Sequence, residues 1–233
     1  MNDDEWEGLA AWWTEHYTGG ADREYEEQLI PLLAAELGGC STVVDIGCGD
    51  GQVARAIAAG GATVIGVDPT VGLLATAASR GGGVHYSFGT ADALPLAASS
   101  CDGAVLCLVL EHLDDLAAAV AEVGRVVRPG GRCGVLLNHP VTQSPGSGLI
   151  EDHLVEPPER FWRIGAYLVS SSDDEQVARG VTIRFHHRPL SAYVNAFAAA
   201  DLLVERMLEP APLTDDAVAA AVPRSIYLRL RKS

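Results

Sequence analysis

The chain has 233 residues, 48% hydrophobic and 20% charged, the make-up of a folded globular protein, which excludes a disordered tail or a collagen-like fibre. Asp and Glu number 31 against 16 Lys and Arg, and the resulting formal charge of −15 would repel a nucleic-acid backbone, so no nucleic-acid partner is expected. No run reaches the roughly 18 consecutive apolar residues of a membrane span, and the opening MNDDEWEG is acidic where a secretory leader is basic; a cytoplasmic protein with no membrane partner is expected.

Before residue 40 the period is helical, with Trp6, Leu9, Trp13 and Tyr17 on one face and Leu29, Leu32, Leu33 and Leu37 forming a second stripe beyond a break at Gly19-Gly20. From Thr42 short apolar runs ended by Gly or Asp alternate with Ala-rich helical stretches, the signature of parallel strands joined by crossover helices. Strands are expected at 42–46, 62–67, 84–88, 102–109 and 131–137, and helices at 51–59, 70–79 and 115–127. Pro129-Gly130-Gly131 stops the last of these helices and turns the chain into its strand. Between 139 and 189 the alternation lapses into a stretch rich in Pro, Gly and Ser, read as an inserted lid carrying Phe161, Trp162 and Tyr167 with Arg160 and Arg163. A helix at 190–200, a strand at 202–208, a polar helix at 214–221 and a strand at 225–230 complete one domain over 1–233. The cysteines, Cys40, Cys48, Cys101, Cys107 and Cys133, are odd in number, lack C-x-x-C spacing and read as buried thiols.

The most informative segment is Val43-Val44-Asp45-Ile46-Gly47-Cys48-Gly49-Asp50-Gly51, an apolar strand entering a glycine-dense turn that opens a helix. Glycine supplies positive φ and removes the Cβ that would block a ligand. A dinucleotide site would show G-x-G-x-x-G, but the third glycine falls on Gln52 and Asp45 precedes the first, where a pyrophosphate would be repelled. Asp45, Asp50 and Glu111 instead suit a ligand with an ammonium and a sulfonium. Asp50 itself reads as a helix cap. Nineteen residues beyond Gly49, Asp68 ends the second strand, where a carboxylate can accept both ribose hydroxyls; Asp92, after the third strand, is placed for an adenine amino group.

Over roughly residues 40–138 these features resemble the class I S-adenosylmethionine-dependent methyltransferases, in particular the small-molecule, methyltransferase type 11-like group. The resemblance implies an α/β, Rossmann-like, three-layer α/β/α sandwich with a mostly parallel seven-stranded sheet whose last strand, supplied by the tail, is antiparallel. It implies S-adenosyl-L-methionine as cofactor, with the methionine moiety held at Asp45, Gly47, Cys48 and Gly49, through the Cys48 backbone N–H rather than the thiol. Ribose falls to Asp68, adenine to Asp92 with Ala93, and the methionyl amino group to the backbone at Leu108. Residues 1–39 become a helical cover with Tyr17 and Tyr25 at the rim; Trp13, on the apolar stripe, is expected to pack on the sheet.

Methyl transfer from a sulfonium is a displacement whose main demands are alignment and exclusion of water. A histidine near neutral pKa helps when the acceptor is a hydroxyl, which selects His112 first and His139 second, both at strand ends. His186 and His187 read as structural, and no His and carboxylate set has metal-ligand spacing. The expected enzyme is a transferase methylating a small organic acceptor at oxygen, with secondary metabolism as a setting. N- or C-methylation and a non-catalytic cofactor-binding protein are the alternatives, and an NAD-dependent oxidoreductase stands third.

Overall fold

A computed structural model of the chain describes residues 3–17 and 22–233, without the side chains of residues 3–5 and 17. The Gly19-Gly20 break and the Tyr17 side chain therefore lie outside the described residues. In chain order come α1 (Asp3–Tyr17), a π turn at Tyr25–Leu29 running into α2 (Ile30–Glu36), β1 (Thr42–Ile46), α3 (Gln52–Ala59), β2 (Thr63–Asp68), α4 (Val71–Ser79), β3 (His85–Phe88) and β4 (Cys101–Cys107). A 3-10 turn at Leu110–His112, α5 (Leu116–Val126) and β5 (Val127–Asn138) follow. Then come β6 (Gly148–Asp152), β7 (Glu159–Arg163), β8 (Ser171–Ala178), β9 (Val181–His187), α6 (Leu190–Ala199), β10 (Leu202–Leu208) and β11 (Ser225–Lys232).

Seven strands form one sheet in the order β10-β11-β5-β4-β1-β2-β3. The pairings from β3 to β5 are all parallel, whereas β11 runs antiparallel to both β5 and β10. Helices cover both faces, which is why the central strands read as continuous apolar runs. Alternation along β1 turns Val44 and Ile46 toward the core with Val120, Val123 and Phe197, while Val43 packs with Leu33, Leu37, Val53 and Ile57 on the opposite face. Asp45 shares the parity of Val43 and is buried with it, at the strand's carboxyl end. No helix among the described residues is long and apolar enough to cross a membrane.

Four details differ from expectation. The 139–189 stretch contains two antiparallel hairpins, β6 with β7 and β8 with β9. They left no period in the sequence because β8, Ser-Ser-Asp-Asp-Glu-Gln-Val-Ala, is exposed along most of its length and needs no apolar face. The polar helix at 214–221 shrinks to a 3-10 turn at Ala219–Ala221: Asp216 Oδ1 accepts the Val218 and Ala219 N–H groups at its start, at 3.0 and 3.1 Å, and Pro223 follows its end. Pro129-Gly130-Gly131 sits inside β5 as an outward loop, between the pairs Cys101↔Val127 and Gly103↔Arg132. Among the five free thiols, Cys40 and Cys107 are half-buried, not buried.

Tyr227 is fully buried in β11, and its hydroxyl has no hydrogen-bond partner. Burying an unpaired hydroxyl is unfavourable, so Tyr227→Phe is expected to stabilise by about 1 kcal/mol, whereas Leu106→Ala in β4 should cost about 2–5 kcal/mol through its cavity. Denaturant midpoints of the two variants check both signs.

Candidate functional site

The turn leaving β1 is built by glycines at positive φ, with Gly47 at 70° and Gly49 at 52°. A side chain on Gly47 would collide with Val109, whereas one on Gly49 would meet only Leu73, at 4.0 Å, and would project into open space. The turn's amides are tied to the end of β2: Gly47 and Cys48 donate to the Val67 carbonyl at 2.8 and 3.1 Å, and Gly49 donates to Asp68 Oδ2 at 2.8 Å. The Cys48 N–H, expected to serve a ligand, is thus spent inside the protein. With all three amides used in this way, the turn is not a nest of free N–H groups for a phosphate.

Above it lies a cavity of about 470 Å³ at the carboxyl edge of the sheet. Asp50, Asp68, Asp92, Asp114 and Asp115 line it, and among the described residues no Lys or Arg does. Asp68 is buried and uses one oxygen for Gly49 and the other for the Thr70 N–H, at 2.8 Å each, leaving a further lone pair on each oxygen. Burial nonetheless holds its pKa above the usual carboxylate value. Asp45 lies beneath the turn, where burial, together with the Asp68 charge, pushes its pKa up to about 7 against the lowering effect of a hydrogen bond from the Ala54 backbone. Its Oδ2 is buried without a partner. Leu108, just past β4 and on the cavity wall, holds φ at 56°, an uncommon conformation for a branched side chain that costs on the order of 1–3 kcal/mol.

His112 forms part of the same wall. Its Nδ1 lies 3.0 Å from the Arg184 carbonyl, which can only accept, so Nδ1 carries the proton and Nε2 keeps its lone pair. Burial lowers its pKa to about 4, so the ring is neutral near pH 7. It packs edge-on against Trp6 of α1 at 5.3 Å and against Phe185 of β9 at 4.6 Å. Next to it Glu111 receives the Asn138 N–H and side-chain amide on Oε1, while buried Oε2 has no partner; burial pushes this carboxyl up to about 7.

Of the residues expected from sequence, the cavity brings together Gly47, Cys48, Gly49, Asp68, Asp92, Leu108, Tyr25 and His112. Asp45 is underneath it, and Ala93, in the turn beside Asp92, does not line it. His139 does not line it either: its Nε2 meets Glu209 at 2.9 Å and its Nδ1 accepts from the Val141 N–H at 3.3 Å. Asp50 is not the expected cap, because Gly51 occupies the cap position of α3 without any side-chain bond and buried Asp50 pairs with Arg80. Trp13, expected on the sheet, lines the cavity with Trp6, their rings 5.4 Å apart. Thr70, Leu113, Asp114 and Asp115 are further lining residues that sequence reasoning missed, having only proximity to the strand ends as a signal. Phe161, Trp162 and Tyr167 are not among the lining residues.

Residues 44–135 match the family described as a methyltransferase domain. Over 110 residues, 46% of this chain and 44% of the relative, the sequence is 36% identical to a malonyl-[acyl-carrier protein] O-methyltransferase of Pseudescherichia vulneris. Over 123 residues, 50% of this chain and 51% of the relative, it is 33% identical to a ubiquinone/menaquinone biosynthesis C-methyltransferase of Syntrophotalea carbinolica. The chain therefore spans about half the length of the curated relatives it matches. The fold is similar to the crystal structure of an S-adenosylmethionine dependent methyltransferase from Mesorhizobium loti, with a TM-score of 0.74, 29% identity, and coverage of 86% of this chain and 96% of that one.

The raised Asp45 pKa has a consequence for stability. Between its ordinary value of 3.8 and about 7 the folded chain holds a proton that the unfolded chain has released, so this group's contribution falls as pH rises through that window. Asp45→Asn keeps the shape without the charge and is expected to stabilise the ligand-free protein at pH 8, on the order of 1–3 kcal/mol, with little change at pH 4. Unfolding midpoints at the two pH values check the difference.

Proposed function

The domain is that of a class I S-adenosylmethionine-dependent methyltransferase, and we propose that this chain uses it to methylate a small organic acceptor at oxygen. S-adenosylmethionine is the cofactor, and when bound it supplies an electrophilic methyl group on a positively charged sulfur. The residues fit such a molecule: the open space over Gly49 is one a Cβ would fill, and the acid-lined wall has no described Lys or Arg. Asp68, with lone pairs to spare, is assigned the ribose hydroxyls, Asp92 the adenine edge and the Leu108 backbone the amino group. Covering the site falls to residues 1–39, with Trp6, Trp13 and Tyr25 excluding water from the cavity. Tyr17 belongs to the same proposed cover, and residues 139–189 are the acceptor-side insertion.

His112 is the observation that carries the oxygen assignment, as a neutral imidazole on the wall with its proton fixed at Nδ1 by the Arg184 carbonyl. Its Nε2 lone pair would accept a hydrogen bond from the acceptor hydroxyl and orient that oxygen; as the new C–O bond forms at the expense of the methyl–sulfur bond, the oxygen becomes acidic enough to pass its proton to a ring whose pKa is about 4 rather than the near-neutral value expected from sequence. His139, held by Glu209 and away from the cavity lining, is assigned no proton transfer. A second reading, transfer to an amine nitrogen, is favoured by the aspartates and tryptophans of the wall, which suit a cationic acceptor.

Calorimetry should find S-adenosylhomocysteine bound and NAD not bound; the reverse result removes the donor. Asp68→Asn is expected to weaken that binding by about 1–3 kcal/mol, measured in the same titration. With radiolabelled S-adenosylmethionine and matched uncharged phenols and amines, label is expected in the phenols, and label in the amines alone selects the second reading. His112→Gln should lower phenol turnover on the order of 10²-fold, and wild-type turnover should be flat from pH 6 to 8 and fall only as His112 protonates toward about 4.

A further inference from the structure

The wall that carries His112 is a short irregular segment, Leu108 to Asp115, between β4 and α5. Its only internal regular structure is the single turn at Leu110–His112, and it begins with the positive φ of Leu108. Nothing in that local sequence explains why the segment should hold one shape. Strand β5 holds its start, through the Leu108 N–H on the Leu136 carbonyl and Asn138 on Glu111, and the rest is held from the junction between β9 and α6, outside the 44–135 match.

Arg188 sits at that junction, directly before Pro189, the N-cap of α6. Its Nη1 donates to the Leu110 carbonyl at 3.1 Å, and its Nη2 donates to the Leu113 carbonyl at 2.5 Å and the Asp114 carbonyl at 2.9 Å. One planar fork therefore ties together both ends of the stretch that contains His112. The same charge lies near buried Glu111, where it opposes the effect of burial on the carboxyl pKa. Two further contacts come from β9: the Arg184 carbonyl takes the His112 Nδ1 proton, and His186 Nε2 meets Asp114 Oδ1 at 3.1 Å. The wall is thus bound to β9 at several points, and Arg188 makes more of these bonds than any other side chain.

We propose that Arg188 is a positioning residue for methyl transfer, its guanidinium fixing the Leu110, Leu113 and Asp114 carbonyls so that the His112 ring is presented to the cavity with Nδ1 on the Arg184 carbonyl. The functional consequence rests on the reading of His112 as the proton acceptor, whereas the positioning itself does not. Arg188 touches neither the cavity nor the reacting atoms, so its removal leaves the glycine turn and Asp68 in place. Displacing a reacting group by about an ångström costs on the order of 10²-fold in rate. A lysine would keep the charge beside Glu111 but has no planar fork to span three carbonyls.

The test compares Arg188→Met and Arg188→Lys with the wild type in the full chain. Nitrogen-15 spectra of the His112 imidazole are recorded without cofactor, with His112→Gln identifying its signals. The wild type is expected to show a single Nδ1–H tautomer that does not titrate above pH 5. Arg188→Met should give mixed tautomers that titrate closer to 6.5, and Arg188→Lys a smaller change in the same direction. S-adenosylhomocysteine affinity should stay within about threefold, while kcat on a phenol acceptor falls roughly 10- to 100-fold in the Met variant. Should the Met variant fail to fold, the spectra of the Lys variant decide. Unchanged His112 signals in a folded variant, with only the melting temperature lowered, overturn the proposal. If His112→Gln keeps full turnover while the Arg188 variants still disturb the tautomer, the proton-acceptor reading fails and the positioning stands.

Discussion

The site depends on how the Gly47–Gly51 turn is anchored. The peptide groups leaving β1 do not point at a ligand; they are bonded to Val67 and Asp68 at the end of β2. That choice decides the electrostatics of the cavity. A turn with free amides would favour an anion, whereas this one presents a Cβ-free surface beside a buried carboxylate. Asp68 serves twice, since it receives the Gly49 amide and retains lone pairs for a ligand. With Asp68 assigned to the ribose as proposed, the turn and the ligand contact are one structural unit.

Holding that arrangement costs stability. Asp45 and Glu111 are carboxyls so deeply buried that both are pushed up to about 7, each with one oxygen unpartnered. His112 is driven the other way, to about 4, and Leu108 is held at positive φ. As pH rises from about 4 to 7 the two carboxyls weaken the fold while His112 strengthens it, so the opposing contributions partly cancel across that range. The two-sided core offsets these costs, with β1, β4, β5 and β11 buried on both faces. Unfavourable groups gathered at one strand edge and supported by a well-packed sheet are the pattern of a functional site.

Much of the cavity wall comes from chain segments far from the glycine turn in sequence. Helix α1 contributes Trp6 and Trp13, and Glu7 anchors it to the start of α4 by accepting the Gly72 N–H at 3.0 Å, where the helix dipole favours a carboxylate. Strand β9 sets the His112 tautomer through a main-chain carbonyl. The family match covers residues 44–135, which carry the turn and the lining aspartates; α1 and β9 lie outside it.

What could be read in the sequence were features with a local cause. Parallel strands buried on both faces write apolar runs, and a turn needing positive φ writes glycine, so β1 to β5 and the Gly47–Gly49 turn were legible, whereas the antiparallel direction of the last strand followed only from the family resemblance. Spacing along the chain placed Asp68 and Asp92 at strand ends because one strand and one crossover helix have nearly constant length. Partners distant in sequence were not legible. Asp50 resembles a helix cap until Arg80 is seen beside it, the Cys48 N–H looks available until the Val67 carbonyl takes it, and His139 resembles a base until Glu209 holds it. Trp13 belongs to an apolar stripe that suits either a sheet or a cavity, and only the docking of α1 decided between them. A strand such as β8, with most of its residues in solvent, leaves no period at all, so the hairpin that orients His112 existed only in three dimensions. Local periodicity and backbone conformation determine the framework, whereas tautomers, pKa values and hydrogen-bond availability depend on what the fold brings within about 3 Å, which residue order alone does not encode.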